Sequence, residues 1–352
     1  MNDPMPPHRV THADIARRLG VSQATISLAL RNDPQISQAR REEVVRVAAE
    51  IGYRPDPMLS ALNRYRRDRA NAVCETQAVI AWVNRWRQPE DIRRLQEFDA
   101  YWHSAASAAK ARGFHLEEIV WASDMSAERL LGILEARGIR GILIPPGERT
   151  LAFASDAIWM DFAWGGISAV RLGRSIHAPG FPVVTADHVH NCRLAVREIR
   201  RRGYERVGFV TSRHMAAFTL SMAGFLMAQS ELPLREAHLI LDDDDTAAFV
   251  RWLKAEKPDA ILTDAPSAMV NEIRDICGDS TGLAVMSVRD GGADAGIDQN
   301  SEEIGRTAVE ALISQLERNQ AGIPEMGREI LIQGCWRDGK SLPYRTSRRP
   351  AL

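Results

Sequence analysis

Residues 10–30 read Val10-Thr11-His12-Ala13-Asp14-Ile15-Ala16-Arg17-Arg18-Leu19-Gly20-Val21-Ser22-Gln23-Ala24-Thr25-Ile26-Ser27-Leu28-Ala29-Leu30. The spacing predicts two short helices joined by a tight turn at Gly20-Val21. Thr11 is placed to cap the first, with Asp14 three residues on as a near capping box. Ser22 is placed to cap the second. Ile15, Ala16 and Leu19 fall on one face of the first helix, and Ile26, Ala29 and Leu30 on one face of the second. Outward on the second helix are small, polar residues: Gln23, Ala24 and Ser27. Such a helix suits the major groove of DNA, because shape and hydrogen bonding, not charge, govern its contact. Gln23 can pair with adenine N6 and N7, whereas Ala24 and Leu28 offer only apolar contact, for example to a thymine methyl. The hydroxyls of Thr11, Ser22, Thr25 and Ser27 suit phosphates.

Downstream, a turn at Asp33-Pro34 leads to Ser37, the expected cap of a third helix running to about Ile51. Val44, Val47, Ala48 and Ile51 would close a small core, and Gly52 would stop the helix. Asp56-Pro57 then starts a short helix to Asn63, with proline at its first position. Charge is uneven: residues 1–69 hold twelve arginines against eight acids, a surplus of +4, so the remainder carries −5 of the overall −1. A basic head on an acidic body suits local contact with DNA.

These residues resemble the headpiece of the LacI/GalR family of bacterial transcription regulators. The likeness spans 10–62 and rests on Asp14-Ile15-Ala16, Gly20-Val21-Ser22, Ala24-Thr25-Ile26-Ser27 and Gly52-Tyr53-Arg54-Pro55. It implies that Tyr53 joins the phosphate contacts. It also implies that helix 57–63 is a hinge helix whose Leu62 wedges a base step in the minor groove. One headpiece reads half a site and so short a hinge helix is unstable alone, so a homodimer on a pseudo-palindromic operator is expected.

At 352 residues the chain suits a small head plus a larger body. Cys74, Cys192, Cys277 and Cys335 are far apart and form no metal or redox pair. With no secretory signal at the start and no apolar run long enough to cross a membrane, the expectation is a cytoplasmic, nucleoid-associated protein. From about Ala78, short apolar runs alternate with amphipathic helices. Three helix ends share a stop, at Arg112-Gly113, Arg137-Gly138 and Arg202-Gly203. That pattern is α/β with parallel sheet. The resemblance implies two Rossmann-like subdomains, as in periplasmic binding proteins. The expected layout is a headpiece at 1–56, a hinge and linker at 57–76, and an effector-binding and dimerisation body at 77–345. Its first subdomain takes 77–202 and 299–329, its second 203–298 and 330–345.

Ligands in such sheets lie beyond the carboxyl ends of strands. The residues expected there are His190, Ser221, Asp264, Arg289 and Gln299, with Trp86 and Trp102 as stacking surfaces. Against the sugar-binding pattern of the family, Pro145 stands where Asn is common, Ser221 where Arg is the rule and Arg289 where Asp is usual. Arg289 gives weight to an anionic effector, or else it pairs with Asp264 or Asp290. Asp242-Asp243-Asp244-Asp245 reads as a loop entering a helix N-terminus, not a cation site. His188 and His190 lack a third ligand. No nucleophile elbow, phosphate loop or dinucleotide fingerprint is present, so neither catalysis nor a cofactor is expected. The function implied is a regulator, most simply a repressor, that binds double-stranded DNA under a small-molecule effector: a sugar, a sugar derivative or an anionic metabolite. Two alternatives stay open: a regulator whose degenerate cleft answers to a protein partner, and a solute-binding protein.

Overall fold

The computed structural model describes residues 12–30, 33, 35–51, 78–148, 158–176, 179–212, 218–231, 238–241 and 245–345. Thr11, Pro34, Tyr53, Leu62, the hinge and linker at 57–76 and Asp242–Asp244 lie outside them. Two compact units emerge, one with the amino-terminal helices and one with both sheets.

The first unit holds α1 (His12–Leu19), α2 (Gln23–Leu30) and α3 (Gln38–Glu50). Gly20 takes a φ of 65°, and the Val21 N–H returns to the Ala16 carbonyl at 3.1 Å, which closes the turn. Helices this short are marginal alone and depend on shared burial. Ile15, Ala16, Ile26, Ala29, Val44, Val47 and Ala48 form the core, flanked by Leu19, Leu30 and Ile51. Ser37 stands at the start of α3, but its side chain makes no capping bond.

In the second unit, β1 (Ala78–Asn84), α4 (Gln96–Ala111), β2 (Phe114–Val120), α5 (Ala127–Ala136), β3 (Gly141–Ile144), β4 (Ser168–Leu172) and β5 (Val183–Ala186) come first. Next are α6 (His188–Arg201), β6 (Val207–Ser212), α7 (Phe218–Glu231), β7 (His238–Leu241), α8 (Thr246–Glu256), β8 (Ala260–Thr263), α9 (Ser267–Cys277), β9 (Gly282–Val285) and β10 (Gly296–Asp298). The chain ends on α10 (Ser301–Glu317), β11 (Glu329–Ile332) and β12 (Cys335–Arg337). One sheet runs β11-β5-β4-β3-β1-β2 and the other β12-β10-β9-β8-β6-β7. Every residue of β3, β4, β5, β6, β8 and β9 is buried, as parallel strands covered on both faces require. The glycines after α4, α5 and α6 take φ of 79°, 66° and 90°, the left-handed stop that the repeated Arg-Gly pairs predict.

The chain passes between the sheets after β5, after β10 and between β11 and β12. Residues 330–332 therefore stand in the first sheet, where they pair in parallel with 184–186. The expected layout gave them to the second subdomain. The passages are tied together: the Asn191 carboxamide accepts from the Gly334 N–H at 2.7 Å, and that of Asn300 donates to the Gln333 carbonyl at 2.7 Å.

The Trp-rich segment that matched no family pattern is core. Trp159, Phe162 and Trp164 pack with Trp121 and Phe181 over one face of the first sheet, with ring centroids 4.4–5.9 Å apart. In the second layer, α7 lies directly on α6 at Gly224, where a Cβ would come within 2.7 Å of the Val189 carbonyl oxygen. That approach brings Ser221, one turn earlier on α7, close to the start of α6.

Candidate functional site

The first unit presents α2 with its amino end ordered by its own side chains. Ser22 Oγ accepts the Thr25 N–H at 3.1 Å and lies 2.9 Å from the Thr25 hydroxyl. This is the cap expected of Ser22. Ile26 and Ala29 point into the core, which leaves Gln23 and Ala24 exposed on the first turn and Ser27 and Leu28 half-buried on the next. No acidic residue lies in that first turn, and Arg17 and Arg18 are exposed on α1. Among the described residues the exposed start of α2 is polar and carries no acidic side chain, which suits contact with a phosphate-lined groove.

The second unit encloses a cavity of about 200 Å³ at the carboxyl ends of its strands. From the first layer come Trp86 after β1, Gly147 after β3 and Ser175 after β4, with Glu97 and Phe98 from α4, and His188 stands at the start of α6, where the chain passes to the second layer. From the second come Ser221, Asp264 after β8, Met286, Ser287 and Asp290 after β9, and Gln299 after β10.

Four of the seven expected cleft residues line it: Trp86, Ser221, Asp264 and Gln299. Trp86 is fixed by its indole N–H, which donates to the Pro146 carbonyl at 2.8 Å, and its ring meets Phe98 edge-on at 6.4 Å. Gln299 donates to the Met286 carbonyl at 2.8 Å. Ser221 is fully buried, and its hydroxyl has no hydrogen-bond partner among the described residues.

The other three lie elsewhere. Trp102 covers β1, edge-on to Trp82 at 5.5 Å, beneath the Arg93 guanidinium at 4.2 Å. His190 is inside the first turn of α6, where its N–H meets the capping carboxylate of Asp187 at 3.0 Å, and it is His188 that reaches the cavity. Arg289 pairs with Glu302 at 2.7 Å and Asp298 at 3.6 Å, not with Asp264 or Asp290. Its neighbour Asp290 takes the cavity wall instead, so the charge there is opposite to the one expected. Asp245 caps α8 through the Ala248 N–H at 2.8 Å, in keeping with a loop that enters a helix. Among the described residues no three His, Cys, Asp or Glu side chains are arranged to hold a metal ion.

The sequence reading missed Glu97, Asp290 and His188. The Glu97 N–H donates to Asp290 Oδ1 at 3.4 Å, and the Tyr101 hydroxyl donates to Glu97 Oε1 at 3.2 Å. Burial, and next the charge of Asp290, push Glu97 up to about 8, and burial also raises Asp290. At neutral pH Glu97 is therefore a protonated donor facing an acceptor carboxylate. His188 is held down to about 4, first by burial and then by the nearby Arg174, against the pull of Asp187. Its imidazole is neutral.

Comparison with known proteins agrees with this architecture. Residues 11–56 match the family described as bacterial regulatory proteins, lacI family. The HTH-type transcriptional regulator GalS of Salmonella typhimurium is 24% identical over 269 residues, covering 74% of this chain and 67% of its own. Among solved structures, the CelR–cellobiose complex superposes with a TM-score of 0.54 at 19% identity, over 95% of this chain and all of that one. A lac repressor dimer bound to operator and the anti-inducer ONPF gives 0.53 at 18% identity, over 96% and 100%. These two show the fold. Residues 11–56 thus match the lacI family, and the chain as a whole is similar to DNA-binding transcriptional regulators of that kind. No helix among its described residues is long and apolar enough to cross a membrane.

Proposed function

We propose that this regulator acts in the cytoplasm as a homodimeric repressor, reading a pseudo-palindromic operator with α2 and answering to a small molecule in the cleft of the body. The observation that carries the reading is the exposed Gln23–Ala24 edge at the capped start of α2, within the segment that matches the lacI family. Gln23 serves as base reader and Ala24 and Leu28 as apolar contacts, with Ser22, Thr25, Ser27, Thr11 and Tyr53 toward phosphates and Leu62 in the minor groove. The head is 1–56 and the linker 57–76. Support for pairing comes from the lac repressor, similar in fold and seen as a dimer on its operator, and from Leu226 and Met227, exposed on α7. Support for an effector comes from the enclosed cavity and from CelR, similar in fold and seen with cellobiose. At about 200 Å³ the cavity is below the usual ~300–1,000 Å³ of drug-sized sites, so a ligand of one ring suits it better than a disaccharide.

Selection of bound sequences from random DNA, followed by footprinting and sedimentation of the complex, tests the reading. Two half-sites protected by two chains are expected; tight binding of one chain to one half-site would overturn it.

A further inference from the structure

We propose that the cleft ligand carries a protonated amine beside a flat or ring-shaped apolar face, with the ammonium between Glu97 and Asp290 and the ring against Trp86 and Phe98. The proposal rests on the reading that the cleft holds a small-molecule effector, and it names the class of that molecule.

The charge of the cavity is the first argument. Glu97 comes from α4 in the first layer and Asp290 from the loop after β9 in the second, so two carboxyl groups face each other across the cleft, with Asp264 on the same wall. Among the described residues no lysine or arginine lines the cavity. Two described guanidinium groups beside lining residues are engaged elsewhere: Arg289 with Glu302 and Asp298, and Arg174 in two bonds to Glu329 at 3.1 and 2.7 Å. A carboxylate or phosphate ligand would meet like charge in a desolvated site, which reverses the anionic expectation drawn from Arg289. Glu97 and Asp290 instead hold one proton between them, and an ammonium, with three donors and no acceptor, can take the place of that proton.

Ser221 is the second, independent argument. Its hydroxyl is fully buried, unpartnered among the described residues, and part of the same wall. A buried hydroxyl without a partner awaits one, and a polar atom of the ligand would supply it. Third, the Trp86 indole is already fixed by Pro146, so its ring is a preformed surface for a ligand face or for the cation itself.

Binding an ammonium ionises Glu97, and its proton leaves to the buffer. The groups that face Glu97 are Asp290, the hydroxyls of Tyr101 and Ser287, and, across the cavity, Asp264 and neutral His188.

Isothermal titration of the full chain at pH 7 with two matched series tests this: benzylamine, benzyl alcohol and benzoate; and glucosamine, glucose and gluconate. The amine of a series is expected to bind at least about tenfold more tightly than its neutral partner and to release a proton, read from buffers of different ionisation heat. Glu97→Gln should abolish the proton release. Asp290→Asn, on the opposite wall, should weaken the amine by about tenfold or more, which covers the case in which one variant fails to fold. Equal or tighter binding of a neutral or acidic member would overturn the amine while sustaining an effector cleft. Binding by none of the six would overturn both.

Discussion

Glu97→Gln removes a proton site that folding creates, so its effect on stability depends on pH with a definite sign. The folded carboxyl titrates at about 8 against an ordinary 4.5. A raised value means that the folded state holds the proton where the unfolded chain has lost it. The contribution is fully present below pH 4.5 and is lost as pH rises toward 8. Each pH unit in that window costs about 1.4 kcal/mol. At pH 7, about 2.5 units above the ordinary value, the wild type has given up about 3 kcal/mol. Glutamine has no proton to lose. Its amide can donate to Asp290 and its oxygen can accept from Tyr101, as the protonated acid does. The variant should therefore match wild type near pH 4.5 and exceed it by about 3 kcal/mol at pH 7. Urea unfolding between pH 5 and 8, followed by tryptophan fluorescence, measures this, because all eight tryptophans lie in the unit with the sheets. Parallel pH profiles for the two proteins, or a less stable variant at pH 7, would refute the reasoning.

Other expectations follow from single contacts. Gln23→Ala should cost about 1–3 kcal/mol on the preferred operator and relax selectivity at one base pair per half-site, as read by binding to a panel of single-base variants. An equal loss on every sequence would assign Gln23 to the DNA backbone. Gly224→Ala drives a methyl into the Val189 carbonyl and should destabilise the body by about 1–3 kcal/mol, measured as a lowered melting temperature; an unchanged melt would mean that α6 and α7 separate freely. Arg289→Ala should leave the affinity of any cleft ligand within about a factor of two, because its partners Glu302 and Asp298 lie outside the cavity; a larger loss in titration would put the guanidinium back in the site.

The three described helices of the head were legible in place and inward face. Its helices are amphipathic at one period, and a core of small and β-branched residues leaves little choice of inward face. β1, β3, β5, β6, β8 and β9 were legible as apolar runs, and their carboxyl ends pointed to Trp86 and Asp264. β2, β4, β7, β10, β11 and β12, short or with polar residues among the apolar ones, were not legible. Side-chain direction was not legible there. After β9, spacing alone does not decide whether Arg289 or Asp290 turns inward; acceptors at Asp298 and Glu302, some ten residues on, draw the arginine away. His188 and His190 differ by more than half a turn of α6, and only the start of that helix faces the cleft. Glu97 escaped notice because acids are ordinary in the first turn of a helix. Its partner lies 193 positions away in the chain.

The ties between the chain passages have a mechanical consequence. Asn191 grips Gly334 and Asn300 grips Gln333, so the segments joining the two layers are sewn to one another along a single line. A seam of this kind yields to rotation about its own length and resists sliding across it. Were the angle between the layers to change, Glu97 and Asp290, which come from different layers, would approach or part. A ligand held between them, as proposed above, would then bias that angle, as the ligand of a two-state switch must.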